Sequence, residues 1–267
     1  MLLIADGGST KTNWCIIDSS GKQTFFDSEG YNPYFVDSAY IIQSLNKVLS
    51  STIKRLNISE IYFYGAGVQN DDKARVIKDA LKVLFPNSNC FVGHDLLASA
   101  RALLGFQPGF AAILGTGTNT CLYDGSKIIH HIDSGAHILG DEGSGFYMGK
   151  RLLIDYIRGN MPKGISESFK QTYQLTSDDI HEAVYSKPLA NRYCAGFSKF
   201  INEANLKEDY IYGLVKSSFD VFFKNIVSVY PSYNDYTFNC IGSVGYNFRD
   251  ILTEVANEWG METGKII

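Results

Sequence analysis

The chain has 267 residues, 45% of them hydrophobic and 19% charged, and a net charge of −4. That is core enough for two lobes of ordinary size, and it leaves no basic stripe for nucleic acid or an anionic membrane. The five cysteines are isolated, odd in number and without CxxC spacing, which fits a reducing cytoplasm and offers neither a disulfide framework nor a thiolate metal site. The opening MLLIA is far too short for a signal peptide, and no stretch approaches membrane-spanning length.

The first elements predict an antiparallel meander. LLIADGGSTKTNWCIID is an apolar strand, a tight polar turn and a second strand, and the turn at Ser19–Lys22 leads into a third. The apolar spacing of 39–56 predicts a helix. EIYFYGAG follows as a β-rich run ending in glycines, and DDKARVIKDALKVLF is a helix that stops before Pro86. CFVG is a short strand, and LLASARALLG is a helix closed by Gly105.

At Phe110 the opening pattern returns. FAAILGTGTNTCLYDGSKIIHHIDSG again has strand, Gly/Thr turn, a strand ending in Asp, a hairpin turn at Asp124–Lys127, a third strand and a closing DS-G. Five ordered elements in register indicate duplication. The predicted lobes are residues 1–107 and 108–267, each opening with the meander. In the second, GSGFYMGKRLLIDYIRG opens a mostly helical stretch that lasts to about Tyr230. YTFNCIGSVG is then a strand into a Gly turn, and FRDILTEVANEWG is a helix.

Four Gly-rich turns carry the candidate chemistry, because glycine permits close backbone approach and successive N–H groups form anion-binding concavities. They are Asp6-Gly7-Gly8-Ser9-Thr10, Gly115-Thr116-Gly117-Thr118, Gly140 to Gly145, and Gly242 to Gly245. The first two would be paired phosphate clamps, one per lobe, with two plain hairpins as the alternative. Asp6 could hold Mg²⁺ through water. Asp141 and Glu142 in the third turn either favour a helix dipole or serve a ligand. The fourth turn is small enough for a nucleotide base to pass, or is simply close-packed. Asp95, between a strand and a helix, is a good N-cap, and is also placed to accept a proton from a hydroxyl nucleophile. His130, His131 and His137 are expected on solvated strand and loop.

The ordered set DGGSTKT, GHDLLASARALLG, ILGTGTNT, GDEGSG and GSVG resembles the sugar-kinase and ATPase superfamily with the actin-like fold. Within it, the set is similar to the BadF/BadG/BcrA/BcrD-type ATPases and above all to the N-acetylglucosamine kinases, over Leu2 to about Trp259. The resemblance implies an α/β protein of two ribonuclease-H-like lobes, with ATP and sugar in the cleft between them. It implies that Asp6, Gly8, Ser9, Thr10 and Lys11 serve metal and phosphates, that Gly115, Thr116, Gly117 and Thr118 form the second phosphate loop, and that Gly242 and Ser243 meet the adenosine. Asp95 would be the base that activates the sugar 6-hydroxyl, and Asn32 and Asp141 would join it on the sugar. The implied reaction is ATP-dependent phosphorylation of an amino sugar with Mg²⁺, above all N-acetylglucosamine to its 6-phosphate. The implied protein is cytoplasmic, with no nucleic-acid or membrane partner, and a homodimer is common among such relatives. The alternatives are a nucleotide-driven activator or sensor without kinase activity. The activator's iron–sulfur cysteines and the zinc glucokinases' cysteine cluster have no counterpart here. Two departures stand out. Gly135 occupies the place of a tryptophan that in many relatives borders the sugar. Relatives also usually continue into a last helix, whereas this sequence reaches Ile267.

Overall fold

The computed structural model describes residues 1–8, 11–49, 53, 56–204 and 208–267. The chain divides into two compact units, Met1–Ala98 and Ser99–Ile267. The division falls inside a helix, whereas the boundary at 107/108 read from the sequence lies at the start of a strand.

Unit 1 carries β1 (Leu2–Gly7), β2 (Lys11–Ile17), β3 (Gln23–Glu29), α1 (Ser38–Val48), β4 (Glu60–Gly65), α2 (Asp71–Leu84) and β5 (Asn89–His94). The sheet order is β3-β2-β1-β4-β5. β1–β2 and β2–β3 are antiparallel, and β1–β4 and β4–β5 are parallel. Period-two burial fixes the register, since Leu3, Ala5, Ile61 and Phe63 turn inward with no exposed surface. The helix expected over 39–56 is described as α1 only to Val48, with residues 50–52, 54 and 55 outside the described set. α2 begins at an Asn70 cap whose side chain accepts from Lys73 N–H, and it ends before Pro86.

Unit 2 repeats the plan. Most of α3 (Asp95–Leu104) precedes β6 (Gly109–Leu114), β7 (Thr118–Tyr123), β8 (Ile128–His131), β9 (Phe238–Ile241) and β10 (Thr263–Ile266). Their order is β8-β7-β6-β9-β10, with the same pattern of antiparallel and parallel pairs. The two sheets therefore share one topology, as the sequence repeat predicts. β6 is buried on both faces, which suits its unbroken apolar run.

Between β8 and β9 lie α4 (Ala136–Leu139), α5 (Gly145–Arg158), α6 (Lys163–Tyr173), α7 (Ser177–Tyr185), α8 (Ala190–Gly196), α9 (Ser198–Glu203) and α10 (Asp209–Asn225). α10 puts Leu214, Phe219, Phe222 and Phe223 into the core beside Phe110 and Phe238. α11 (Ser243–Asn247) and α12 (Arg249–Glu258) follow β9. β10 was not expected from the sequence; it adds a parallel edge strand to β9. No helix among the described residues is long and apolar enough to cross a membrane.

The duplication extends to the hairpin turns. Asp18 Oδ1 accepts from Ser20 N–H (2.8 Å), Ser20 Oγ (2.6 Å) and Lys22 N–H (3.1 Å). Asp124 Oδ1 accepts from Ser126 N–H (2.8 Å), Ser126 Oγ (2.9 Å) and Lys127 N–H (2.8 Å). These bonds favour the ionised form and hold both carboxyls below the ordinary aspartate value. Their stabilisation is present above the unfolded value, about 3.9, and is lost as pH falls through the lower folded values. In Asp18→Asn/Asp124→Asn, urea midpoints should fall below wild type at pH 6, and the gap should narrow by pH 3. A gap that stays constant between those pH values would remove the charge from the account of these turns.

Candidate functional site

In unit 1 the candidate residues gather at the carboxyl ends of the parallel strands, where open α/β sheets bind ligands. Asp6 is the penultimate residue of β1, beside Tyr64 of β4. Asp95 follows the last residue of β5, whose His94 lies beside Gly65 of β4. The two aspartates are thus two strand spacings apart, about 10 Å at the backbone. Asp6 has substantial accessible surface, yet burial raises its carboxyl above the ordinary value and the Asp95 charge adds to the shift. Neighbouring protein atoms hold bulk water off the charge even though part of the residue stays accessible.

Asp95 Oδ1 lies 2.7 Å from His94 Nδ1 and accepts from Leu96 N–H at 2.8 Å. Leu96 N–H also reaches His94 Nδ1, at 3.1 Å. With its proton on Nδ1 the imidazole donates to Asp95; with the proton on Nε2 it accepts from Leu96. Either way Asp95 is held at the start of α3 with its side chain 35% exposed. Asn32 reaches the same edge from the β3–α1 loop. Its Oδ1 accepts from Tyr34 N–H at 3.0 Å, and a Cβ on Gly67 would stand 2.4 Å from that oxygen. Gly67, at φ +80°, follows β4 and lets the asparagine lie on the backbone.

Gly8 donates its N–H to Lys11 O (2.9 Å), closing the first turn. Ser9 and Thr10 lie outside the described residues. Lys11 Nζ stands 3.0 Å from Asp27 Oδ1 in a solvent-exposed pair across β2 and β3.

In unit 2 the loop Gly115–Thr118 is stitched to the 134–146 turn. Gly145 and Phe146 donate their N–H groups to Gly115 O (2.8 Å) and Thr116 O (3.1 Å). Thr118 N–H donates to Asp141 Oδ1 (3.1 Å), and Thr118 Oγ1 to Glu142 O (2.7 Å). Ser134 Oγ donates to the same Asp141 oxygen at 3.1 Å. Asp141 is 8% exposed and holds φ +56°, an unusual backbone for a non-glycine residue. Burial raises its carboxyl above the ordinary value, opposed by the Thr118 and Ser134 bonds. A Cβ on Gly117 would meet Asp141 Oδ2 at 2.9 Å. These bonds leave the Thr116 and Gly117 amides and the Thr116 hydroxyl as the loop's donors to an anion.

The fourth turn packs on the same loop. Gly242, at φ +123°, has no room for a side chain, since a Cβ would stand 2.5 Å from Leu114 O. Loop, turn and α8 enclose a cavity of about 420 Å³ lined by Gly115, Thr116, Gly145, Arg192, Ser198 and Ser243 among others. That volume lies within the range of small-molecule sites, about 300–1,000 Å³. A Cβ on Gly145 would stand 3.3 Å from Gly115 O, Ser198 Oγ and Val244 Cγ2 alike. The larger hollow, about 580 Å³, is lined by Lys150, Ile154, Ile180 and Tyr185. It carries none of the four turns, so the smaller cavity is the candidate site.

The sequence reading missed His94, Gly67 and Arg192. His94 was legible as the neighbour of Asp95, but its hydrogen bond was not. Arg192 sits in a helical stretch without a motif. Of the histidines expected on solvated strand and loop, His130 and His131 are exposed on β8 and His137 lies in α4: His131 Nε2 is 2.8 Å from Asn119 Oδ1, His130 packs on Tyr230 and His137 on Phe146. Among the described residues no group of three or more His, Cys, Asp or Glu is arranged to hold a metal ion. All five cysteines are free, and burial pushes the thiols of Cys121 and Cys240 up to about 12, which makes them poor nucleophiles.

No protein-family model matches the sequence, and neither does any curated protein sequence. Solved structures do. A candidate N-acetylglucosamine kinase from Porphyromonas gingivalis is 40% identical, with a TM-score of 0.92 over 100% of this chain and 94% of that one. A second candidate N-acetylglucosamine kinase, from Chromobacterium violaceum, is 18% identical with a TM-score of 0.71 over 98% and 93%. A ROK-family glucokinase from Streptomyces griseus, solved with glucose and AMPPNP, is 13% identical with a TM-score of 0.58 over 100% and 92%. The last two are likenesses of fold. Two ribonuclease-H-like sheets of one order place the chain in the actin-like ATPase superfamily. At 40% identity along its whole length, it belongs to the family of the Porphyromonas protein, the N-acetylglucosamine-kinase-like branch of that superfamily.

The Asp141 contacts predict a stability test. Asp141→Ala leaves Thr118 N–H and Ser134 O–H without their acceptor in a buried position, at a cost of about 1–3 kcal/mol. Asp141→Asn keeps an oxygen there and should lose less in denaturant titrations. Equal losses would mean that the carboxylate charge matters rather than the acceptor.

Proposed function

We propose that the protein is an ATP-dependent sugar kinase that transfers the γ-phosphoryl group to the 6-hydroxyl of N-acetylglucosamine, with Asp95 as general base. Membership of the kinase-like family supports a phosphotransferase. The observation that carries the residue assignment is Asp95 itself, a partly exposed carboxylate fixed by His94 and Leu96 N–H at the carboxyl end of the unit 1 sheet. A carboxylate in that setting accepts a hydroxyl proton as the oxygen attacks phosphorus. Asn32 orients the sugar from the same edge; Asp141, in unit 2, has Oδ1 engaged by the loop.

The unit 2 cavity fits a nucleotide. Apart from Arg192 its walls are backbone and small side chains, so phosphates would approach the amides of the Gly115–Thr118 loop, with Gly242 and Ser243 on the adenosine. Asp6 would hold Mg²⁺ through water. The fit rests on two carboxylates, Asp6 and Asp95, whose mutual repulsion a cation relieves. Bound there, the ion would neutralise charge on the phosphates. Lys11 and the turn at 8–10 complete the proposed phosphate contacts of unit 1.

The test is ADP release with Mg-ATP and a panel of N-acetylglucosamine, N-acetylmannosamine, glucose and glucosamine. Turnover should be fastest with N-acetylglucosamine. Asp95→Asn should lower kcat by about 10²- to 10⁴-fold while leaving ATP binding intact. ATP binding without sugar-dependent turnover would replace the kinase with a nucleotide-driven sensor or activator.

A further inference from the structure

Among the described residues, Arg192 of α8 is the one charged residue lining the 420 Å³ cavity. Nothing in the loop or turn motifs points to it. Arg192 is half-buried. Among the described residues, no carboxylate lies within ion-pair distance of its guanidinium. A half-buried cation without a protein counter-charge, facing a cavity, is free to engage what enters the cavity.

Which part of a nucleotide it meets follows from how α8 lies. A Cβ on Gly149 of α5 would stand 1.8 Å from Cys194 O, so the two helices are in backbone contact there. Ser198, just past the end of α8, has its Oγ 3.3 Å from a Cβ on Gly145, whose own N–H is bonded to Gly115 O. The carboxyl end of α8 therefore abuts the phosphate loop. Arg192 lies one turn back from Ala195 and Gly196 on the same face, about 5 Å further along the axis. Long helical side chains lean toward the helix N-terminus, which carries the guanidinium further still from Gly115 and Thr116. The helix direction thus points Arg192 to the end of the cavity away from Gly115 and Thr116.

That end lacks what a purine needs. No aromatic ring lines the cavity, and apart from Arg192 its side chains are hydroxyls, a methyl, an isopropyl group and hydrogens. The guanidinium is the one planar side-chain group in the lining, and guanidinium planes stack on aromatic faces. We propose that Arg192 is the base-stacking residue of the nucleotide site, covering one face of the purine. The proposal deepens the kinase reading, on which it rests for the identity of the ligand.

Calorimetric titration of the full chain with AMP, ADP, ATP and inorganic tripolyphosphate tests it, comparing wild type with Arg192→Ala and Arg192→Lys. Stacking predicts that Arg192→Ala weakens all three nucleotides by one common factor, roughly 5- to 30-fold, and leaves tripolyphosphate unchanged. Arg192→Lys, which keeps the charge and loses the plane, should restore little. A loss that grows from AMP to ATP, extends to tripolyphosphate and is rescued by lysine would overturn the assignment and make Arg192 a phosphate ligand. Unchanged nucleotide affinity in Arg192→Ala would also overturn it. Wild type that binds none of the nucleotides would instead sink the nucleotide reading itself, which separates the two failures.

Discussion

The candidate site in unit 2 depends on one set of contacts, the stitching of the Gly115–Thr118 loop to the turn that opens α5. A glycine-rich loop has many conformations, and a phosphate-binding concavity needs one of them. Gly145 and Phe146 N–H fix the carbonyls of Gly115 and Thr116, and Asp141 and Glu142 fix Thr118. The first amides of α5, which would otherwise face an anion, are spent on holding the loop. The pre-organisation lies in the loop, and α5 lends it only the positive end of its dipole. Of the acidic pair in the GDEGSG motif, Asp141 acts through its carboxylate. Glu142 acts through a backbone carbonyl that any residue could supply, and its carboxylate accepts from Asn225 Nδ2. One residue supplies a carboxylate oxygen and the other a carbonyl, both to Thr118.

The two copies of the fold have kept the topology and diverged in chemistry. Unit 1 presents ionisable groups at its strand ends, Asp6 and Asp95, with an asparagine over Gly67. Unit 2 presents mainly backbone at the corresponding ends, and it has gained α4 to α10 between its third and fourth strands. The inserted helices supply the far wall of the cavity through α8, so the duplicated sheet alone could not have enclosed it. Under the proposed function, one copy of the sheet would serve proton transfer at its carboxyl edge and the other anion binding.

Much of this was legible in the sequence because it is local. The meander repeats in register, its hairpin turns carry Asp and Ser at matching offsets, and the four glycine turns interrupt apolar runs. Asp95 was legible because a strand ended and a helix began around it. What was not legible depends on distant segments. The pairing of Lys11 with Asp27 requires the β2–β3 register. β10, TGKI, is four residues with glycine and lysine exposed, and only the vacant edge of β9 makes it a strand. Arg192 belongs to a helix of seven residues whose neighbours, α5 and the Ser243 turn, lie some fifty residues away on either side.

The balance of charge across the candidate residues argues for a division of labour. Asp6 and Asp95 bring negative charge to the unit 1 edge, and Lys11 is already paired with Asp27. Among the described residues, Arg192 is the one charged side chain lining the unit 2 cavity. A triphosphate bound in the unit 2 cavity, as proposed, would find one guanidinium there to neutralise it. Its charge must be met by amide dipoles and by the divalent ion it carries, both of which act over short distances and only in the right geometry. A site of this kind discriminates by position more than by net attraction, because an anion displaced from the Thr116 and Gly117 amides loses its stabilisation without falling into the field of a nearby lysine. That suits phosphoryl transfer, in which placing the phosphorus in line with the attacking oxygen contributes more than any covalent step the protein supplies.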